Sequence, residues 1–131
     1  MTKLAEEDRS LSVLAHLSGY AGYLIPCGGV VAPIILLATA KSPRVAAIAK
    51  QALLLNVLGF LSVLLTVVAF APLSLAAHKS PVLSLTLGVV GGALALLVLG
   101  LIALCPLIGA IKASQGEYFR YPLFGVSDPR S

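Results

Sequence analysis

The hydrophobic positions of this chain gather into three runs that carry no full charge, Leu11 to Ala40, Gln51 to Ala77 and Ser80 to Ile111. Each exceeds the roughly 20 residues that one helical membrane crossing needs. The fully charged residues are confined to residues 1–10, a basic link from Lys41 to Lys50, Lys79, and the stretch from Lys112 onward. This pattern predicts an all-α integral membrane protein with a polar N-terminus (1–10), one helical membrane domain (11–115), and an interfacial motif with a C-terminal tail (116–131).

The first run sets the topology. As one straight helix its thirty residues would measure about 45 Å, well over a hydrocarbon core of about 30 Å, so it must tilt, kink or turn back. Pro26, Cys27, Gly28 and Gly29 interrupt it and read as a turn, and Pro33 is tolerable in the first turn of a new helix. The expectation is a short N-terminal helical hairpin, or one kinked span, followed by two long transmembrane helices. Asp8 or Ser10 is placed to cap a helix from Leu11 to about Ile25. One face of that helix carries His16, Tyr20, Tyr23 and Cys27, while Ala15, Ser18, Gly19 and Gly22 supply small residues for close helix packing.

Ser42-Pro43 and Ser80-Pro81 each put a capping hydroxyl before a proline at the first helical position, marking the starts of the long helices. Pro72 reads as a kink or an end of the first, and Pro106 as a kink in the second. Gly88 and Gly92 form a G-x-x-x-G packing pair, and Gly116 is placed to cap the last helix after Lys112. Beyond it, Tyr118, Phe119, Arg120 and Tyr121 read as anchors at headgroup depth. Pro122 blocks further helix, and the remainder reads as a flexible tail.

Charge chooses between the two topologies. A single crossing by the first run leaves Lys3, Arg9 and Lys79 opposing Lys41, Arg44, Lys50, Lys112, Arg120 and Arg130; a hairpin leaves Lys79 alone against the rest. The hairpin agrees better with the excess of Lys and Arg on the cytoplasmic side, and puts both termini there. Glu6, Glu7 and Asp8 make the N-terminal region acidic, and the run that follows is too long for a signal-peptide core, so retention of this segment is expected. The formal charge of +4 is scattered around membrane ends, which favours contacts with lipid and excludes a nucleic-acid surface. Cys27 and Cys105 lie in or beside apolar segments without partners at metal-ligand spacing and read as small buried residues.

Ala15-His16-Leu17-Ser18, Ile25-Pro26, Ala32-Pro33, Ala49-Lys50-Gln51-Ala52-Leu53 with Asn56, Ile111-Lys112-Ala113 and Gly116-Glu117-Tyr118-Phe119-Arg120-Tyr121-Pro122-Leu123 together resemble a bacterial family of small membrane proteins of unknown function. That family is similar to the four-helix membrane domain of a chloroplast inner-envelope protein-import component. Leu54 and Leu55 intervene before Asn56 where the family usually has Asn at once, and the link from Ala40 to Ala49 lacks the usual acidic and His residues. The resemblance implies a bacterial inner (cytoplasmic) membrane protein.

His16 is the one strongly titratable side chain inside a predicted membrane segment. We expect it neutral and hydrogen-bonded, in reach of Gln51 or Asn56, rather than holding a haem or chlorophyll. His16, Gln51 and Asn56 are therefore candidate polar packing residues, and Gly19, Gly22, Gly88 and Gly92 candidate helix-packing residues. Ser62 and Thr66 join Asn56 as interhelical hydrogen-bonding groups or liners of a polar path. Gly116, Glu117, Tyr118, Arg120, Tyr121 and Pro122 form the interfacial motif, with Glu117 and Arg120 free to pair with each other or with Arg44. No catalytic constellation, metal set or phosphate loop is legible, so an enzyme and a cofactor are not expected. The reading is a small accessory or scaffolding subunit whose partners are membrane lipids and other membrane subunits or itself; the rival is a small oligomeric transport or protein-translocation component.

Overall fold

A computed structural model describes residues 4, 6–25 (Tyr23 as backbone alone), 27–122 and 125–129. The expectations resting on Lys3, Pro26, Leu123, Arg130 and the Tyr23 side chain lie outside the described residues. The chain is an all-α integral membrane protein. Helix α1 spans Glu6–Leu17, a 3-10 turn follows at Ser18–Tyr20, and short α2 covers Ala21–Leu24. Then come α3 (Gly28–Thr39), α4 (Pro43–Ala76), a 3-10 turn (Ala77–Lys79) and α5 (Pro81–Ser114). The segments Pro43–Lys79 and Pro81–Ser114 are long and apolar enough to cross a membrane.

Both long helices begin at the prolines that the sequence marks. The carbonyls of Ser42 and Ser80 accept the first bonds, from the N–H groups of Ala46 and Ser84. The Ser42 hydroxyl does not cap; it donates to the Asp8 carboxylate at 2.9 Å. Asp8 itself sits inside α1, which starts at Glu6 rather than Leu11. Neither Pro72 nor Pro106 ends its helix. At the end of α5, Gly116 (φ 82°) takes the left-handed conformation that costs an L side chain about 1–2 kcal/mol. Its N–H reaches the Ala113 carbonyl and that of Glu117 the Lys112 carbonyl, the two bonds of a Schellman cap.

The chain divides into two compact units, residues 1–57 with 103–131, and residues 58–102. In the second unit the facing stretches of α4 and α5 meet where glycines remove side chains. A Cβ on Gly91 would lie 2.7 Å from Phe70, and one on Gly59 would overlap Ile102. Ser74 and Ser84 donate to each other's carbonyls at 3.0 and 2.9 Å, fastening the hairpin near its turn. Gly88 and Gly92 instead line an apolar groove of about 410 Å³ with Phe70, Ser74 and Gly91. A Cβ on Gly92 would meet nothing within 4 Å.

In the first unit the early run turns back on itself. Gly22 approaches the Gly29 backbone so closely that a Cβ would lie 3.0 Å from its nitrogen, and a Cβ on Gly29 would lie 2.9 Å from the Gly19 carbonyl oxygen. Of the two shapes expected for residues 11–40, the structure has the hairpin. The core around it holds Ala15, Ile48 and Ala49 with Leu36 and Tyr118 packed against them.

Candidate functional site

Polar residues of the first unit converge where α1, the start of α4, the end of α5 and the tail meet. Arg9, Ser12 and His16 follow each other at spacings of three and four, so they share one face of α1. That face runs antiparallel to a row of small positions at the end of α5. Arg9 lies against Gly116, and His16 lies so close to Gly109 that a Cβ there would overlap the ring. Ser12 and Ala113, between these points on their own elements, are fully buried. Arg9 Nε, Ser12 Oγ and His16 Nε2 are buried without a hydrogen-bond partner among the described residues.

The tail closes this seam. Tyr121 is 1 % exposed, and its hydroxyl lies 2.9 Å from His16 Nδ1. Its backbone N–H donates to Gln51 Oε1 at 2.9 Å, while Gln51 Nε2 donates to the Tyr118 hydroxyl, which donates in turn to the Val126 carbonyl. The rings of Phe119 and Tyr121 both stand against the His16 ring, with centroids at 6.5 and 5.4 Å. Arg44, fully buried, binds the Asp128 carboxylate through Nε at 2.8 Å and through a second nitrogen. Burial first, then the neighbouring Asp128 charge, pushes the Tyr118 phenol up to about 12, and burial raises that of Tyr121.

Several expectations change accordingly. His16 is buried and hydrogen-bonded, but to Tyr121; Gln51 joins it only through that residue. Asn56 bonds its own helix at the Ala52 carbonyl and packs against Gly19 and Gly29. The hydroxyls of Tyr118 and Tyr121, expected at headgroup depth, bond inside the unit to Gln51, Val126 and His16. Residues 125–129 fold back instead of forming a free tail. Glu117 pairs with Lys112 at 2.7 Å, Arg120 reaches the Gly125 carbonyl, and Pro122 is exposed at the turn of the strap. The 3-10 turn at Ser18–Tyr20 shifts the helical phase, so Tyr20 leaves the His16 face and donates to the Ala103 carbonyl of α5. Cys105 is buried, whereas Cys27 is exposed.

Sequence reasoning missed Asp128, Ser12, Arg9 and Gly109. Ser12 was within reach of it, since its spacing of four from His16 was legible; Asp128 carried no local signal. Among the described residues no three His, Cys, Asp or Glu side chains group as metal ligands.

No curated protein and no solved structure matches the chain. Residues 7–126 do match the magnetosome magnetite crystal formation protein family, MamF/MmsF. The chain belongs to that family, a family of bacterial magnetosome membrane proteins, and nothing in these comparisons extends the resemblance to the chloroplast import component.

Proposed function

We propose that this chain is a non-catalytic subunit of the magnetosome membrane that scaffolds a larger membrane assembly during magnetite crystal formation. The family match across residues 7–126 carries this reading. The architecture supports it. Apolar helices make up most of the chain, and several polar side chains pair within it, as His16 does with Tyr121, Gln51 with Tyr118 and Arg44 with Asp128. The partners would be lipids and other membrane subunits, or further copies of the chain.

The transport reading draws no support from the groups that would have lined a path. Asn56, Ser62 and Thr66 all turn to carbonyls of their own helix, at Ala52, Leu58 and Ser62. Each of these groups thereby spends a donor on its own helix. We further propose that both termini lie on the cytoplasmic side, supported by the hairpin shape of residues 6–39 and the isolation of Lys79 from the other basic residues.

Deleting the gene in a magnetite-forming host, restoring it on a plasmid, and measuring crystals by electron microscopy tests the reading. Changed crystals restored by the plasmid are expected, with defined membrane proteins co-migrating with the chain in mild detergent. Unchanged crystals would overturn it.

A further inference from the structure

The hairpin of the first unit is too short to cross a bilayer, yet it packs against the stretches of α4 and α5 that belong to that unit. On α5, Lys112 is the last charged residue before the apolar run, and Ala103 lies nine residues further, about 14 Å along the axis. Tyr20 meets the helix at Ala103. On α4, Asn56 lies six residues, about 9 Å, beyond Lys50, and there it abuts both Gly19 on the way in and Gly29 on the way out. Two independent contacts thus place the middle of the hairpin inside the depth range of the apolar runs. From Tyr20 only five residues remain to Ile25, about 7 Å more, so the turn stops roughly 16–21 Å beyond the last charges. A hydrocarbon core is about 30 Å thick.

The described residues of the turn satisfy part of their backbone internally. Backbone N–H and C=O groups in hydrocarbon must be satisfied by the protein. Here the Ile25 N–H donates to Ala21, the Gly28 N–H to Ile25, and those of Val30 and Val31 to the Cys27 carbonyl. Cys27 adopts a left-handed conformation (φ 64°), which lets α3 start directly on the turn. Leu24 and Ile25 at the tip are 87 % and 65 % exposed, and Val31, Ile34 and Ile35 continue the apolar surface up α3. No charge occurs from Ser10 to Ala40.

We propose that α1 to α3 form a re-entrant hairpin that enters and leaves the bilayer on the side of Arg44 and Asp128, with its tip at Leu24, Ile25 and Cys27 seated among lipid acyl chains near mid-depth. The occupant of this surface is hydrocarbon, because the tip is apolar and exposed and carries no charge that a polar partner would need. The inference rests on the membrane reading of α4 and α5.

Cys27 supplies the probe. A Cys105→Ala chain in cells and in reconstituted vesicles is treated with a membrane-impermeant maleimide from each face, then with N-ethylmaleimide. A bimane on Cys27 is next exposed to phospholipids brominated at shallow or deep acyl positions. The unsubstituted chain, whose Cys105 is buried, serves if the variant folds poorly, with Cys27→Ser as its blank. The expected result is no impermeant labelling from either face, labelling by N-ethylmaleimide, and stronger quenching by the deep bromines. Labelling by the impermeant reagent from either face would overturn the hairpin, and so would a bimane that brominated lipid does not quench, which would mean protein covers the tip. Extraction by alkaline carbonate separates the two readings: release of the chain defeats the membrane reading, whereas retention with an accessible Cys27 defeats the hairpin alone.

Discussion

His16 Nδ1 lies 2.9 Å from the Tyr121 hydroxyl, joining α1 to the tail across 105 positions of sequence. Both side chains are buried, so losing either group leaves the other short of a partner with no water to replace it. A buried polar group stranded in this way costs about 1–3 kcal/mol. Tyr121→Phe should therefore lower the thermal midpoint in mild detergent, followed by circular dichroism. His16→Gln should retain more stability than His16→Leu, since an amide can still meet the phenol. A Tyr121→Phe chain that melts with the parent would show that this bond contributes nothing.

Two ion pairs predict opposite sensitivities. Arg44 is fully buried against Asp128, whereas the Lys112 and Glu117 side chains are 44 % and 45 % exposed. Asp128 is 25 % exposed, so its loss costs less than the roughly 3 kcal/mol of a fully buried pair, while an exposed pair contributes about 0–1 kcal/mol. Asp128→Asn should destabilise the fold and raise proteolysis of the tail, and Glu117→Gln should do neither. Equal effects of the two substitutions would contradict the burial of Arg44.

Local chemistry was legible in the sequence and long-range docking was not. Pro43, Pro81 and Gly116 act through the backbone of their own neighbours, so helix starts and the final cap could be read directly. Tyr118 and Tyr121 illustrate the opposite case. Aromatic rings beside Arg120 have the composition of a headgroup anchor, and only the pairing of Gln51 and His16 with residues about 70 and 105 positions away turns them inward. Gly88 and Gly92 show the same limit: G-x-x-x-G states that a close approach is possible, not which small residues make it. On α4 and α5 the close approaches fall instead on Gly59, Gly91 and Gly109.

The tail should loosen in alkali. Burial and the Asp128 charge push the Tyr118 phenol from 10 up to about 12, and burial raises Tyr121 as well. With the folded value above the unfolded one, the folded state holds its proton longer. This contribution to stability is complete below about pH 10 and is lost as pH rises toward 12 and beyond. Phenolate absorbance at 295 nm in detergent should show these two groups ionising late, together with faster proteolysis of residues 117–129. Ionisation of every tyrosine near pH 10 with the tail still protected would rule out the buried placement of Tyr118 and Tyr121.

Glycine substitutions discriminate between the two small-residue pairs of α5. At Gly109 an added methyl group would overlap the His16 ring, which is buried and also packed against Tyr121 and Phe119. Overpacking of this kind costs about 1–3 kcal/mol. At Gly92 a methyl group would enter open space within the groove, while alanine in a helix interior gains roughly 0.5–1 kcal/mol over glycine. Gly109→Ala should thus lower the melting midpoint in detergent, and Gly92→Ala should leave it unchanged or raise it. Replacing Gly92 by Ile tests what the groove receives, since a branched side chain would block a helix from another subunit without disturbing the fold of this one. Loss of co-migrating chains in Gly92→Ile, with its melting intact, would assign Gly92 to contacts between chains. Retention of every partner would leave the close packing of α4 and α5 to Gly59, Gly91 and Gly109.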